Sequence, residues 1–170
     1  AVAMNPETWN ADVAELEPGG YLLYDSTRPL TSGRMREDIV LLGVPLTGMC
    51  AEMYTDARQR QLFKNIMYVG ALSALLHIEP EVIEKLLAEQ YSGERKAPLL
   101  DANRAAFRRG YDYVRAELPA IGLRMERRDR VGERIFVDGN SAAALGAVYG
   151  GATVCAWYPI TPSTSCAEAF

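Results

Sequence analysis

The sequence predicts an α/β fold built on a parallel sheet, and three observations carry that prediction. Short apolar runs of strand length, "YLLYD" at 21–25 and "IVLLGVP" at 39–45, alternate with longer stretches of helical periodicity. The breaks between them hold Gly and Pro, as strand–helix–strand units require. A charged stretch then separates this alternation from a second, shorter one. The organisation expected is a first unit over 1–118, a linker over 119–133 and a second unit over 134–170.

Taken in order, "AVAM" reads as part of a strand, being too short and apolar for a solvated terminus. Asn5-Pro6 turns it into a helix over 6–16, with Pro6 at a first helical position where its missing N–H would be unpaired anyway. "EPGG" ends that helix, and "YLLYD" is a buried-type strand. A polar loop, "STRPLTSGRMRED", leads to the strand "IVLLGVP". After Pro45 the pattern turns helical. Phe63, Ile66, Met67, Gly70, Ala71, Ala74, Leu75 and Ile78 recur on one helical face. Leu62, Val69, Leu72 and Leu76 widen that stripe, which predicts burial on more than one side. In "EPEVIEKLLAEQY", Pro80 lies in the first turn among acidic residues that the helix dipole favours. Val82, Ile83, Leu86 and Leu87 form its inner face.

A further helix covers about 98–118, with Leu100, Asn103, Phe107, Tyr111, Val114 and Leu118 on one side, and "PAIG" stops it. "LRMERRDRVGER" mixes arginine with Glu126, Asp129 and Glu133 and reads as a solvated linker. The sharper alternative, an arm contacting phosphate, has no glycine-rich cradle beside it. "IFVDGN" reads as a strand ending in a turn, and "SAAALGAVYGGA" as a helix of small residues suited to close backbone approach. "TVCAWY" reads as the next strand, and "PITPSTSCAEAF" leads off it into a helix.

Composition narrows the function. The chain is 49% hydrophobic and 24% charged, as soluble globular proteins are. A net charge of -4 gives no basic field, which argues against nucleic-acid binding. No apolar run approaches the ~20 residues of a membrane span, and the first residues carry no signal-peptide pattern. Cys50, Cys155 and Cys166 are widely spaced, and His77 is the single histidine. That inventory cannot build a four-cysteine iron–sulfur cluster and argues against a zinc site. An odd cysteine count without a secretion signal favours reduced thiols and a cytoplasmic setting. Each cysteine reads as a small buried apolar residue, and His77, near the end of a helical pattern, as surface packing.

In an open α/β sheet, ligands bind where strand ends lead into helix N-termini. Two such turns are expected, Asp138-Gly139-Asn140 and Tyr158 to Ser165. Pro159 and Pro162 each fix a φ angle and hold the residue before them extended. Thr161 is therefore trapped in a stiff turn, its hydroxyl presented just before a helix that Ser163 or Thr164 can cap. The free N–H groups of such a helix attract anions, so the turn suits a carboxylate or a phosphate. The plainer alternative is a proline-stiffened helix cap and nothing more. Thr161 has no base beside it and the lone His77 lies in the other unit, so positioning is favoured over nucleophilic attack. Two weaker candidates are Asp25-Ser26, for a ribose hydroxyl without the usual glycine-rich turn before it, and Lys64 with Asn65 on the long helix.

These motifs together resemble a known family. "DGNSAAALGAVYGG" followed by "YPITPST" resembles the start of the alpha part of the 2-oxoacid:ferredoxin (acceptor) oxidoreductases, and "YPITPS" in this position is a specific signature. "MNPETW", "ELEPGGYLLYDS", "GVPLTGMCAEM", "FKNIMYVGALSALLHI" and "NRAAFRRGYDYV" are similar to the carboxyl-terminal two-thirds of the family's gamma domain. The resemblance covers nearly all the chain and is weakest at 119–133. It implies a Rossmann-like gamma domain, incomplete at its N-terminus, over 1–118. The start of a pyrimidine-binding α/β domain of the thiamine-diphosphate type would follow over 134–170. A gamma domain fused ahead of an alpha domain is similar to the large subunit of the 2-oxoglutarate oxidoreductase type.

The resemblance implies oxidative decarboxylation of a 2-oxoacid, 2-oxoglutarate or pyruvate, to an acyl-CoA with reduction of ferredoxin. Thiamine diphosphate and Mg2+ would be shared with a partner beta subunit, which would also carry the iron–sulfur cluster, and coenzyme A would be co-substrate. The assembly implied is a cytoplasmic hetero-oligomer. Carried onto this sequence, Thr161 would contact the substrate carboxylate, and Pro159 with Ile160 would lie beside the cofactor's pyrimidine. Tyr158, Pro162, Ser163 and Asn140 are the further residues expected around that pocket, with no metal ligand among them. The family's glycine-rich opening turn would precede Ala1 and its pyrimidine-activating glutamate would lie beyond Phe170. The chain is thus expected to be an internal piece that does not turn over by itself. The reading from another class is a non-catalytic acyl-CoA- or nucleotide-binding module, or an interaction module, on the same scaffold.

Overall fold

Leucine- and valine-rich runs pair side by side into a three-stranded parallel sheet. Its strands β1 (Val2–Ala3), β2 (Tyr21–Asp25) and β3 (Val40–Val44) lie in that spatial order. Leu23 sits opposite Val2 on one side and Leu42 on the other, and Asp25 opposite Val44. The structure, a computed structural model, describes residues 1–3, 7–27, 36–128 and 130–170. The expected Pro6 helix start and the polar loop at 28–35 lie outside the described residues. Two compact units are present, 1–126 and 127–170.

In the first unit the sheet is covered on both faces. Ala3, Leu22 and Ile39 pack with Trp9 and Val13 of α1 (Trp9–Ala14). Leu23, Leu42 and Val44 pack against α2 (Leu46–Met53) and α3 (Ala57–Leu75), with Val114 of α5 (Ala97–Glu117). Between α3 and α5 runs α4 (Pro80–Gln90), started by Pro80 as expected. Burial on both faces is why the strands read as continuous apolar runs and do not alternate. The described part of the first helix is shorter than the 6–16 expected; Arg36 closes its end by donating to the carbonyls of Val13 (2.8 Å) and Leu16 (2.7 Å).

The tightest packing joins α3 to α5. A Cβ built on Gly70 would lie 2.0 Å from the Phe107 carbonyl oxygen, and one on Gly110 would lie 2.1 Å from that of Met67. The helices therefore cross backbone on backbone, which no larger residue allows. The expectation that α3 is buried on more than one side holds only in part. It is covered by the sheet and by α5, but Leu62 is 57% and Val69 39% exposed. Its start is capped by Asp56, whose carboxylate accepts from the Gln59 N–H at 2.8 Å. At its end the Ile78 N–H reaches back to the Ser73 carbonyl at 2.9 Å, and His77 between them adopts φ +55°. That arrangement is a Schellman stop.

Residues 119–126, part of the stretch expected as a linker, lie on the first unit. Ile121 packs on its core, and the Met125 N–H donates to the Leu76 carbonyl at 2.7 Å. The second unit holds α6 (Gly139–Tyr149) and α7 (Thr164–Ala169). Its two expected strands, in "IFVDGN" and "TVCAWY", are not formed among the described residues. A strand exists through ladder hydrogen bonds to a neighbour, and these segments have no such partner among the described residues, Ile135 being 73% and Val154 80% exposed. The close approach expected of the small-residue helix is also missing within this unit, where a Cβ on Gly146 would meet nothing within 4 Å.

Candidate functional site

The turn from Tyr158 to Ser165 folds on itself through its few available donors. Pro159 and Pro162 have no N–H, so closure falls to Ile160 and Ser163. The Ile160 N–H donates to the Tyr158 carbonyl and the Ser163 N–H to the Ile160 carbonyl, both at 2.8 Å, and the Thr161–Pro162 bond is cis. The expected cap differs in detail. Ser163 precedes α7 but has helical backbone angles, φ -72° and ψ -19°, and its side chain caps no N–H. A capping side chain needs an extended backbone to reach forward, so the Ser163 hydroxyl donates backward to the Ile160 carbonyl at 2.7 Å. A helix of only six residues also carries little dipole, which weakens the anion-binding part of the expectation.

What remains open in the turn is Thr161. Its side chain is exposed, and its hydroxyl makes no hydrogen bond among the described residues. Tyr158 is 78% and Ile160 59% exposed, and Pro159 and Pro162 are exposed beside them. The arrangement offers the free Thr161 hydroxyl, with the exposed Tyr158 phenol beside it, between apolar surfaces with no charge and no base. It can orient an anionic group or lie against a ring, and it cannot activate a nucleophile.

Asn140, in the first turn of α6, is brought to this turn. Its Nδ2 donates to the Pro162 carbonyl and to the Ser165 hydroxyl, each at 2.8 Å. Asp138 holds the start of α6, accepting from the N–H groups of Asn140 and Ser141 at 3.0 Å and from the Ser141 hydroxyl at 2.6 Å. The Ser141 hydroxyl, then these N–H groups, hold the Asp138 carboxyl below its ordinary range. The roles of Asp138 and Ser165 were missed in the sequence. For Asp138 the signal was present, an Asp three residues before Ser at a helix start; for Ser165 there was none.

At the carboxyl end of the first unit's sheet, Asp25 is consumed by structure. Its carboxylate accepts from the N–H and hydroxyl of Thr27 (3.1 and 2.7 Å) and from the N–H (3.1 Å) and hydroxyl of Thr47. Burial alone would raise its pKa, but the Thr47 and Thr27 hydrogen bonds outweigh it and hold the carboxyl below the usual value. The carboxylate thus sits at the N-terminus of α2, where a bound phosphate would otherwise go, and has no lone pair left for a ribose. Nearby, burial pushes the Cys50 thiol up against the opposing charge of Lys64, leaving an inert thiol. Burial also pushes the Tyr68 phenol up to about 12, and its O–H donates to the Ala3 carbonyl at 3.0 Å.

Of the remaining sequence candidates, Lys64 is half-buried, Asn65 and His77 are exposed, and Cys155, expected to be buried, is exposed while Cys166 is half-buried. The unformed strand at 153–158 leaves Cys155 without a sheet to pack under. Among the described residues no group of three or more His, Cys, Asp or Glu converges to hold a metal ion, and no helix is long and apolar enough to cross a membrane. An apolar recess of about 480 Å³ opens at the amino ends of the strands among Leu23, Leu42, Leu72, Leu75 and Ile121. It faces away from the ligand-binding edge of such sheets.

The family model for pyruvate ferredoxin/flavodoxin oxidoreductase matches residues 1–113. The 2-oxoacid:ferredoxin oxidoreductase 2, subunit alpha, of Aeropyrum pernix is 27% identical over 201 aligned positions, covering 96% of this chain and 31% of that protein. The 2-oxoglutarate oxidoreductase subunit KorA of Mycobacterium tuberculosis is 29% identical over 189, covering 96% and 28%. Among solved structures, a 2-oxoglutarate:ferredoxin oxidoreductase from Magnetococcus marinus with 2-oxoglutarate, coenzyme A and succinyl-CoA bound is 27% identical. It superposes with a TM-score of 0.76 over 99% of this chain and 28% of its own. The chain spans less than a third of the length of these relatives.

Proposed function

The chain belongs to the pyruvate ferredoxin/flavodoxin oxidoreductase family, and from that premise we propose that it is part of the alpha subunit of a thiamine-diphosphate-dependent 2-oxoacid:ferredoxin oxidoreductase. The observation that carries this reading is the Thr161 hydroxyl, exposed and uncommitted on a proline-bounded turn. The reaction joins a 2-oxoacid and coenzyme A into an acyl-CoA, releases CO2 and a proton, and passes two electrons to ferredoxin. 2-Oxoglutarate and pyruvate are the substrates to compare, and the names of the KorA and Magnetococcus relatives favour the first.

The residues at hand fit one side of such a site. The uncommitted Thr161 hydroxyl suits the substrate carboxylate, and Pro159 with Ile160 offer an apolar wall for a pyrimidine ring. Thiamine diphosphate, when bound, supplies the nucleophilic carbon and the electron sink for decarboxylation. Thr161 donates its hydroxyl to the carboxylate and fixes the orientation of the bond to be broken, and its contribution is positioning. The exposed apolar face around Tyr158 and Ile160 excludes water once covered. This reading assigns the diphosphate, Mg2+ and iron–sulfur cluster to a partner beta subunit. A cytoplasmic hetero-oligomer with ferredoxin as acceptor is the setting it requires.

The test is Thr161→Ala in the assembled enzyme. Losing a hydrogen bond to a charged group costs about 1.5–3 kcal/mol, so kcat/KM for the 2-oxoacid should fall by about 10- to 150-fold. Unchanged kinetics would sink the assigned role.

A further inference from the structure

We infer that Asn140 is a positioning residue of the proposed 2-oxoacid site, acting through the Pro162 carbonyl and the Ser165 hydroxyl to hold Thr161 in place. The inference rests on the reading of Thr161 given above.

The turn cannot hold itself by ordinary means. Prolines at 159 and 162 remove two backbone donors, and the backbone–backbone hydrogen bonds within the turn end at the Ile160 carbonyl. The peptide that follows Thr161 is anchored from outside, through the Pro162 carbonyl oxygen. That anchor is Asn140, 22 residues earlier in the chain, whose Nδ2 is 2.8 Å from the oxygen. The second hydrogen of the same amide goes to the Ser165 hydroxyl at 2.8 Å, and that hydroxyl also donates to the Pro162 carbonyl at 3.3 Å. The three groups form a closed triangle. Because a backbone carbonyl can only accept, the amide must present its nitrogen here, so its orientation is fixed by chemistry.

Asn140 is itself held. Its backbone N–H donates to Asp138, the cap of α6. A continuous chain therefore runs from the Asp138 cap to the start of α6, from Asn140 to the Pro162 carbonyl, and so to Thr161. Residue chemistry at 140 is restricted accordingly. Asp has the same shape but sets an oxygen against the carbonyl oxygen, and Gln carries the amide one methylene too far. Misplacing a reacting group by about 1 Å costs on the order of a hundredfold in rate, so a bond this near Thr161 should be felt in catalysis.

The test is a double-variant cycle in the assembled enzyme, with Asn140→Asp, Thr161→Ala and both together. Kinetics for the 2-oxoacid, the KM for coenzyme A and the melting temperature are read for each. Asn140→Asp should raise the KM for the 2-oxoacid about tenfold, leave that for coenzyme A unchanged, and add nothing in the Thr161→Ala background. If Asn140→Asp fails to assemble, Asn140→Ala replaces it, since it removes the donor without an opposing charge. Effects that multiply, or a KM unmoved by either change at 140 while Thr161→Ala is impaired, overturn the Asn140 role alone. A general loss of melting temperature and of every kinetic parameter would also overturn it, as the mark of a merely structural residue. A normal Thr161→Ala enzyme overturns both this inference and the reading beneath it.

Discussion

At the scale of single residues, the same side-chain chemistry serves opposite ends in the two units. Asp25 is surrounded by donors from Thr27 and Thr47, while Thr161 has none. A saturated carboxylate is architecture, and a free hydroxyl on a stiff turn is available to a ligand. Asp25→Asn should therefore destabilise the chain by about 1.5–3 kcal/mol, because an amide turns a donor toward donors. The effect depends on pH with a definite sign. The folded carboxyl titrates below its unfolded value of about 4. Its stabilisation is present above that pH and is lost as pH falls through the lower folded value. Urea titrations should show the two proteins converging in stability below pH 4. Sequence reading singled out Asp25 for a ligand because only a strand end was visible; Thr47, 22 residues away, supplies the donors that occupy it.

At the scale of elements, the crossing of α3 and α5 rests on two glycines. Periodicity put Gly70 in the α3 stripe, but Gly110 lay between the apolar positions read for the next helix. A glycine's partner across a crossing leaves no periodic trace. Gly110→Ala forces its new methyl into the Met67 carbonyl and should cost at least about 1–3 kcal/mol, read as a lower urea midpoint with unchanged slope. The end of α3 gives the opposite prediction. His77 holds φ +55° at the position a Schellman stop reserves for glycine. His77→Gly should raise stability by about 1 kcal/mol by removing the left-handed penalty, seen as a higher melting temperature. β2 lies over 21–25 as read from sequence, since its apolar run is bounded by Gly and by a polar turn. The strands expected in "IFVDGN" and "TVCAWY" have the right composition, but pairing is a property of neighbours that composition cannot supply.

At the scale of the whole molecule, the parallel sheet and the alternation of strand and helix were legible as an α/β fold, whereas the order of the strands and the covering of both sheet faces are set by packing partners distant in sequence. The family was legible in a few short motifs, "YPITPST" above all. The links that tie the site together were not. Asn140 and Pro162 meet across 22 residues through one amide, and Ser165 joins them without any motif of its own. Function is the claim that this arrangement leaves most exposed to experiment. The most direct measurement is ferredoxin reduction by the assembly purified on a tag carried by this chain, with 2-oxoglutarate or pyruvate, coenzyme A and thiamine diphosphate supplied. The account predicts reduction that requires the 2-oxoacid and thiamine diphosphate and is impaired by Thr161→Ala. Binding of coenzyme A with no 2-oxoacid-dependent electron transfer would contradict it, and would make the chain a binding module on an oxidoreductase scaffold.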